Sequence, residues 1–235
     1  SRKKSVLFVV TASIMNTIDN SPQMLLALLR QLVYRAGVAP QDIALGDPTG
    51  QFPRFMHEML HSEFPEVIYF DNTGKAGSGR TRTMFSTTRF DWSTPEAVGK
   101  RQDYVPVQFA EATYLINFAV LKGHGVGITV CAKKHYGSLL RCPDGYLRDA
   151  GVVDYYNMHT GTPLPSVGGT PGMGHYRANV DLMGHPALGG KTLLYLVDGL
   201  FAGYYWDSQP QKWKMPPFGD GVNADWPSSL FASLD

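Results

Sequence analysis

Residues 5–38, SVLFVVTASIMNTIDNSPQMLLALLRQLVYRAGV, decide how the chain is read. Val6 to Val10 form a short, β-branched apolar run, the mark of a buried strand. Ser21-Pro22 then opens a pattern that places Leu25, Leu28, Leu29, Leu32 and Val33 on one helical face. Ser21 is suited to the N-cap. Pro22 suits the first helical position, where its missing N–H is not needed, and Gly37 can take the left-handed stop. The unit is a strand followed by a helix.

The same alternation continues outward. Ile43 to Leu45, Val67 to Phe70, Tyr114 to Val120 and Leu193 to Val197 read as further strands, with a short helix from Pro53 to Glu63. Strands alternating with helices predict an α/β domain built on a mostly parallel open sheet with helices on both faces. Asn72 to Tyr104 and Cys142 to Gly174 are rich in Gly, Ser, Thr and Pro and lack periodicity, so they are expected to be long surface excursions, either irregular loops or each carrying a small hairpin. All 235 residues are expected to form a single domain.

Composition narrows the function. Hydrophobic residues make up 43% and charged residues 17%, enough apolar surface to offset chain entropy. The formal net charge of +1 gives no global attraction to nucleic acid or an anionic membrane. No apolar run approaches the roughly 20 residues of a membrane span. Cys131 and Cys142 form no CxxC pair, so neither thiolate zinc nor a disulfide framework is indicated. No apolar signal region follows Arg2, Lys3 and Lys4, and no motif names a cofactor.

Polar residues follow each strand: Thr11 and Ser13, then Asp47, Asp71, Lys122 with His124, and Asp198. In a parallel sheet these fall on the carboxyl edge, where open α/β sheets bind ligands. The plainer reading is that Asp and Gly terminate strands and cap helices. Between Glu111 and Asp144 there is no acidic residue, yet Lys122, His124, Lys133, Lys134 and His135 lie there. That excess points to an anionic small molecule, a carboxylate or phosphate. Lys122, His124, Lys133 and His135 are the candidate catalytic groups, because burial lowers a lysine pKa and imidazole titrates near neutrality. Asp47 and Asp198 are the candidate orienting or ligand-binding groups. Gly127 to Ser138 could be helix or strand.

Two further motifs compete. Thr73 to Arg82, TGKAGSGRTR, is a basic glycine-rich loop whose Arg80 and Arg82 could close over an anion, although it is not a P-loop. His57-Glu58-x-x-His61 fits the helical zinc pair of metalloproteases, but no third ligand is evident. The aromatic residues from Tyr204 to Trp226 suit either a partner surface or packing of an irregular tail. His159, His175 and His185 have no ligand spacing.

The runs KGHGVGITVCAKKHYGS (122–138), YRANVDLMGHPALGGKTLLYLVDGLFAG (176–203) and DWPSSLFASLD (225–235), with LLALLRQLVYRAGV and IALGDPTG, resemble a bacterial family catalogued as domain of unknown function 362. Lys122, His124, Lys133 and His135 match its pattern, while Lys134 stands where its members usually carry Asn. The resemblance implies that this chain is an internal fragment of a longer protein, that relatives carry a twin-arginine export leader, and that no activity can be carried over. The expectation is an enzyme using the Lys/His cluster. The alternatives are a non-catalytic binding or accessory domain and a zinc-dependent hydrolase at His57 and His61.

Overall fold

The structure, a computed structural model, describes residues 6–10, 18–100, 103–124, 127–138, 140–141, 176–205 and 207–234. Strand β1 (Val6–Val10) leads to helix α1 (Pro22–Arg30), which widens into a π-helical turn over Gln31–Arg35. Gly37 stops it at φ 70°, and the Val38 N–H closes the end by donating to Leu32 O at 2.9 Å. Ser21 does not cap with its side chain; its backbone N–H donates to Asp198 Oδ2 at 2.6 Å instead.

Next come β2 (Ile43–Gly46), α2 (Arg54–Glu63), β3 (Ile68–Asp71), β4 (Thr81–Arg82), β5 (Phe85–Phe90), β6 (Asp103–Pro106) and α3 (Val107–Glu111). They are followed by β7 (Tyr114–His124), β8 (Gly127–Thr129), α4 (Cys131–Lys134), β9 (Leu140–Arg141), α5 (Ala178–Gly184), β10 (Thr192–Gly203) and β11 (Ser229–Ser233). Among the described residues the main sheet runs β11-β10-β7-β1-β2-β3-β4, with β8 beside β7. β10, β7, β1, β2, β3 and β4 pair in parallel, whereas β11 and β8 pair antiparallel.

This overturns the expectation of one mostly parallel sheet clad by helices on both faces. The main sheet is mixed, and a second, wholly antiparallel sheet of β5, β6 and β9 stands apart from it. One face of the main sheet packs Ile43, Leu45, Tyr69 and Phe118 against Leu25 and Leu29 of α1 and Met56 and Leu60 of α2. The other packs Phe70 and Leu115 against Phe90 and Val105 of the second sheet, Phe109 of α3 and Leu182 of α5. β7 is buried over eight consecutive residues, which is why its sequence is an almost unbroken apolar run.

Asn72 to Tyr104 contains β4, β5 and the start of β6, and the antiparallel pairing of β5 with β6 is the hairpin alternative rather than an irregular loop. The predicted excursion at 142–174 lies outside the described residues.

Candidate functional site

β2 and β3 lie side by side and end in the same four-residue pattern, Asp47-Pro48-Thr49-Gly50 and Asp71-Asn72-Thr73-Gly74. Asp47 Oδ1 accepts from Thr49 N at 2.9 Å, Thr49 Oγ1 at 3.1 Å and Gly50 N at 3.0 Å. Asp71 Oδ1 accepts from Thr73 N at 2.8 Å, Thr73 Oγ1 at 2.9 Å and Gly74 N at 2.6 Å. Each aspartate thus folds the turn after its strand. Each keeps one oxygen for a cation: Asp47 Oδ2 meets Lys134 Nζ at 2.7 Å, and Asp71 Oδ2 meets Arg80 Nη1 at 3.1 Å. Asn72 ties the loops together, its Nδ2 donating to Thr49 O at 3.0 Å. The recurrence of D-x-T-G is the sequence signal that would have revealed this pairing.

The lysines gather beside the first loop. Lys122, near the carboxyl end of β7, is buried, and its amine is pushed down to about 8, by desolvation first and then by Lys134, against the pull of Asp47 and Asp19. Lys133 is pushed down to about 7 by desolvation and by the charges of Lys122 and Lys134, and its Nζ lies 3.7 Å from the centre of the Tyr136 ring. His124 stacks near Tyr205, with ring centres 6.2 Å apart. Desolvation, Lys133 and Lys122 push its imidazole down to about 4, so it is neutral at physiological pH. These three groups and Lys134 act on one another electrostatically across the end of β7, with Asp47 already engaged by Lys134.

His135 does not join them. It is fully buried, its Nδ1 lies 3.1 Å from Ser138 Oγ and its Nε2 lies 3.0 Å from Asn117 Nδ2. An amide nitrogen only donates, so Nε2 accepts and Nδ1 carries the proton. Burial, then Lys134, pushes this ring down to about 3. His135 is therefore a structural pin, and its assignment as a catalytic group is corrected: no ring nitrogen is left for a substrate. Asn117, in the middle of β7, also donates to Cys131 O at 2.9 Å and so fastens α4 to the sheet. A lone Asn inside the apolar run of β7 was the sequence clue to this role.

Asp198 lies on β10, opposite Val120 of β7. Its oxygens accept from Ser21 N and from Leu200 N, at 2.6 and 3.2 Å, so it anchors the start of α1 rather than a ligand. Arg82 is exposed on β4, and the cleft beside the glycine-rich loop is lined by Arg80 without it.

That cleft, of about 660 Å³, lies between α2 and residues 75–80. His57 and His61 are neighbours on one helical face, with ring centres 5.0 Å apart. Glu58, the base of the metalloprotease pattern, pairs instead with Arg54 at 2.6 Å. Among the described residues no third acidic, His or Cys side chain completes a metal site there. A second cleft, of about 550 Å³, is lined by apolar residues including Leu121, Val197, Trp213 and Phe231. Neither cleft is lined by Lys122, His124 or Lys133. No helix among the described residues is long and apolar enough to cross a membrane.

No protein-family model matches the chain, and no match is found among curated proteins or solved structures.

Proposed function

We propose that the carboxyl end of β7 is the catalytic centre of an enzyme acting on an anionic small molecule. The observation that carries this reading is the crowding of Lys122, Lys133 and Lys134 around one place, with desolvation holding Lys133 at about 7. A bound carboxylate or phosphate supplies the charge that this crowding lacks, and it costs the protein no rearrangement of Asp47. Lys122 holds the anion. Lys133, balanced between amine and ammonium at neutral pH, takes or returns the proton, since a general acid–base group works best with a pKa near the operating pH. His124 is a neutral imidazole beside them, able to donate a hydrogen bond but too weak a base to compete for the proton. Kinship with the family of domain of unknown function 362, carried by the runs that contain these residues, is part of the same proposal and names no reaction.

The test is a thermal-shift screen of small carboxylates and phosphates, followed by turnover assays on those that stabilise the protein. Lys122→Ala should abolish stabilisation. Lys133→Ala should retain binding and lose turnover. If both variants respond as the unaltered protein does, the lysine centre is not a site.

The reading as a binding or accessory domain is favoured by one observation. The edge strand β11 exposes Leu230 and Phe231 beside the apolar cleft, a surface suited to partner contact. Solubility and oligomeric state of Phe231→Lys test it.

A further inference from the structure

The α2 cleft holds a feature the lysine centre does not use. His57 is 8% exposed, and its Nε2 is buried with no hydrogen-bond partner among the described residues. A buried, unmatched imidazole nitrogen is costly to keep, and native structures normally satisfy such groups. Burial first and then His61 lower its affinity for a proton, against the opposing pull of the Gly79 backbone; Arg80, lowering, and Glu58, raising, contribute less.

The facing loop is built for close approach. Gly79 has φ 70°, and a Cβ there would lie 2.9 Å from His57 Cε1 and 3.1 Å from Nε2. The backbone N–H groups of Ala76, Gly77 and Gly79 donate to no backbone carbonyl among the described residues. Lys75 and Ser78 stand on the same wall. Arg80 lines the same cleft and is fixed by Asp71, Phe52 O and Ser78 Oγ, so its guanidinium is not free to swing. Backbone donors, a hydroxyl, cations and an undonated imidazole around a glycine-rich turn are the elements of an oxyanion cradle. A divalent metal fits less well. It would meet the positive charge of Arg80 with only two imidazoles to hold it, and Glu58 is engaged by Arg54.

We infer that the cleft between α2 and the 75–80 loop binds the phosphate group of a small molecule, with His57, Lys75, Arg80 and the backbone N–H groups of Ala76 and Gly77 as its donors. This site is independent of the lysine centre, and either can fail without the other.

Calorimetric titration of the intact protein with inorganic phosphate and with pyrophosphate tests it. Saturable binding is expected. Lys75→Ala removes a charge-assisted contact and should weaken binding about tenfold. Gly79→Ala fills the cradle and should weaken it at least as much. Lys75 is exposed at the rim, so Lys75→Ala keeps the test sound if Gly79→Ala does not fold. Lys122→Ala, which removes the anion holder of the other centre, should leave this binding event in place. The inference is overturned if the unaltered protein binds neither probe, if Lys75→Ala binds as tightly as the unaltered chain, or if all phosphate binding is lost in Lys122→Ala. It is also overturned if zinc binds stoichiometrically, in a manner abolished by His61→Ala, while phosphate does not bind.

Discussion

Lys134 Nζ lies 2.7 Å from Asp47 Oδ2, and both side chains are about 95% removed from water, at 5% and 4% exposure. This pair joins α4 to the loop after β2, across the top of the sheet. Removing one member strands the other charge in a poorly solvated place. Lys134→Met should therefore lower unfolding free energy by about 3–5 kcal/mol in urea titrations. The double variant Asp47→Asn with Lys134→Met should recover part of that loss, because Asn retains an oxygen for the Thr49 and Gly50 N–H groups. A double variant no better than the single would show that the pair is not what the loop depends on.

Stability should rise with pH between about 7 and 10. Lys122 and Lys133 titrate in the folded chain at about 8 and about 7, below the ordinary 10.5, so in this window the unfolded chain binds more protons than the folded one. The penalty for burying the ammonium groups is complete below the folded values and vanishes above the unfolded one. Urea midpoints measured across this range should climb, and Lys133→Met should flatten the rise. A midpoint that stays level in the unaltered protein would refute the crowding of the amines.

The His135 ring should stay neutral through the whole range from pH 5 to 8, since burial holds it at about 3. Its carbon-bound proton resonances should not move over that range by nuclear magnetic resonance. Asn117→Ala removes its partner and the tie to Cys131 O, and should cost about 1–3 kcal/mol. A titration step near pH 6.5 at His135 would show the ring to be open to solvent.

Cys131 should be inert in the folded state. Its Sγ donates to Leu196 O at 3.3 Å, and desolvation pushes the thiol up to about 11, which leaves almost no thiolate at neutral pH. In a Cys142→Ser background, maleimide labelling should be slow until denaturant is added. Rapid labelling without denaturant would contradict the packing of α4 on the sheet.

Local periodicity made several elements legible in the chain itself. The strands at Val6–Val10, Ile43–Gly46 and Ile68–Asp71 and the helix beginning at Pro22 follow from apolar spacing, because neighbours within a turn or along one strand decide it. Asp47 and Lys122 lie near enough to act on one another, although the one mostly parallel sheet from which a shared edge was expected is not what forms. The second sheet was not legible. β5 is largely exposed, with only Phe90 at its end buried, so it carries no alternating pattern, and it pairs with β6 through contacts that no short window contains.

The site divides in the same way. Residue types and spacing determined that cations without local acidic partners would meet near β7. Only the tertiary structure decided which of them were already engaged within the fold. Lys134 was taken by Asp47, His135 by Asn117 and Ser138, and Asp198 by the backbone at the start of α1, while Lys133 was left with other amines and an aromatic ring. The reason is that proton affinity and hydrogen-bond occupancy are set by desolvation and by partners far away in the chain, which no run of sequence records.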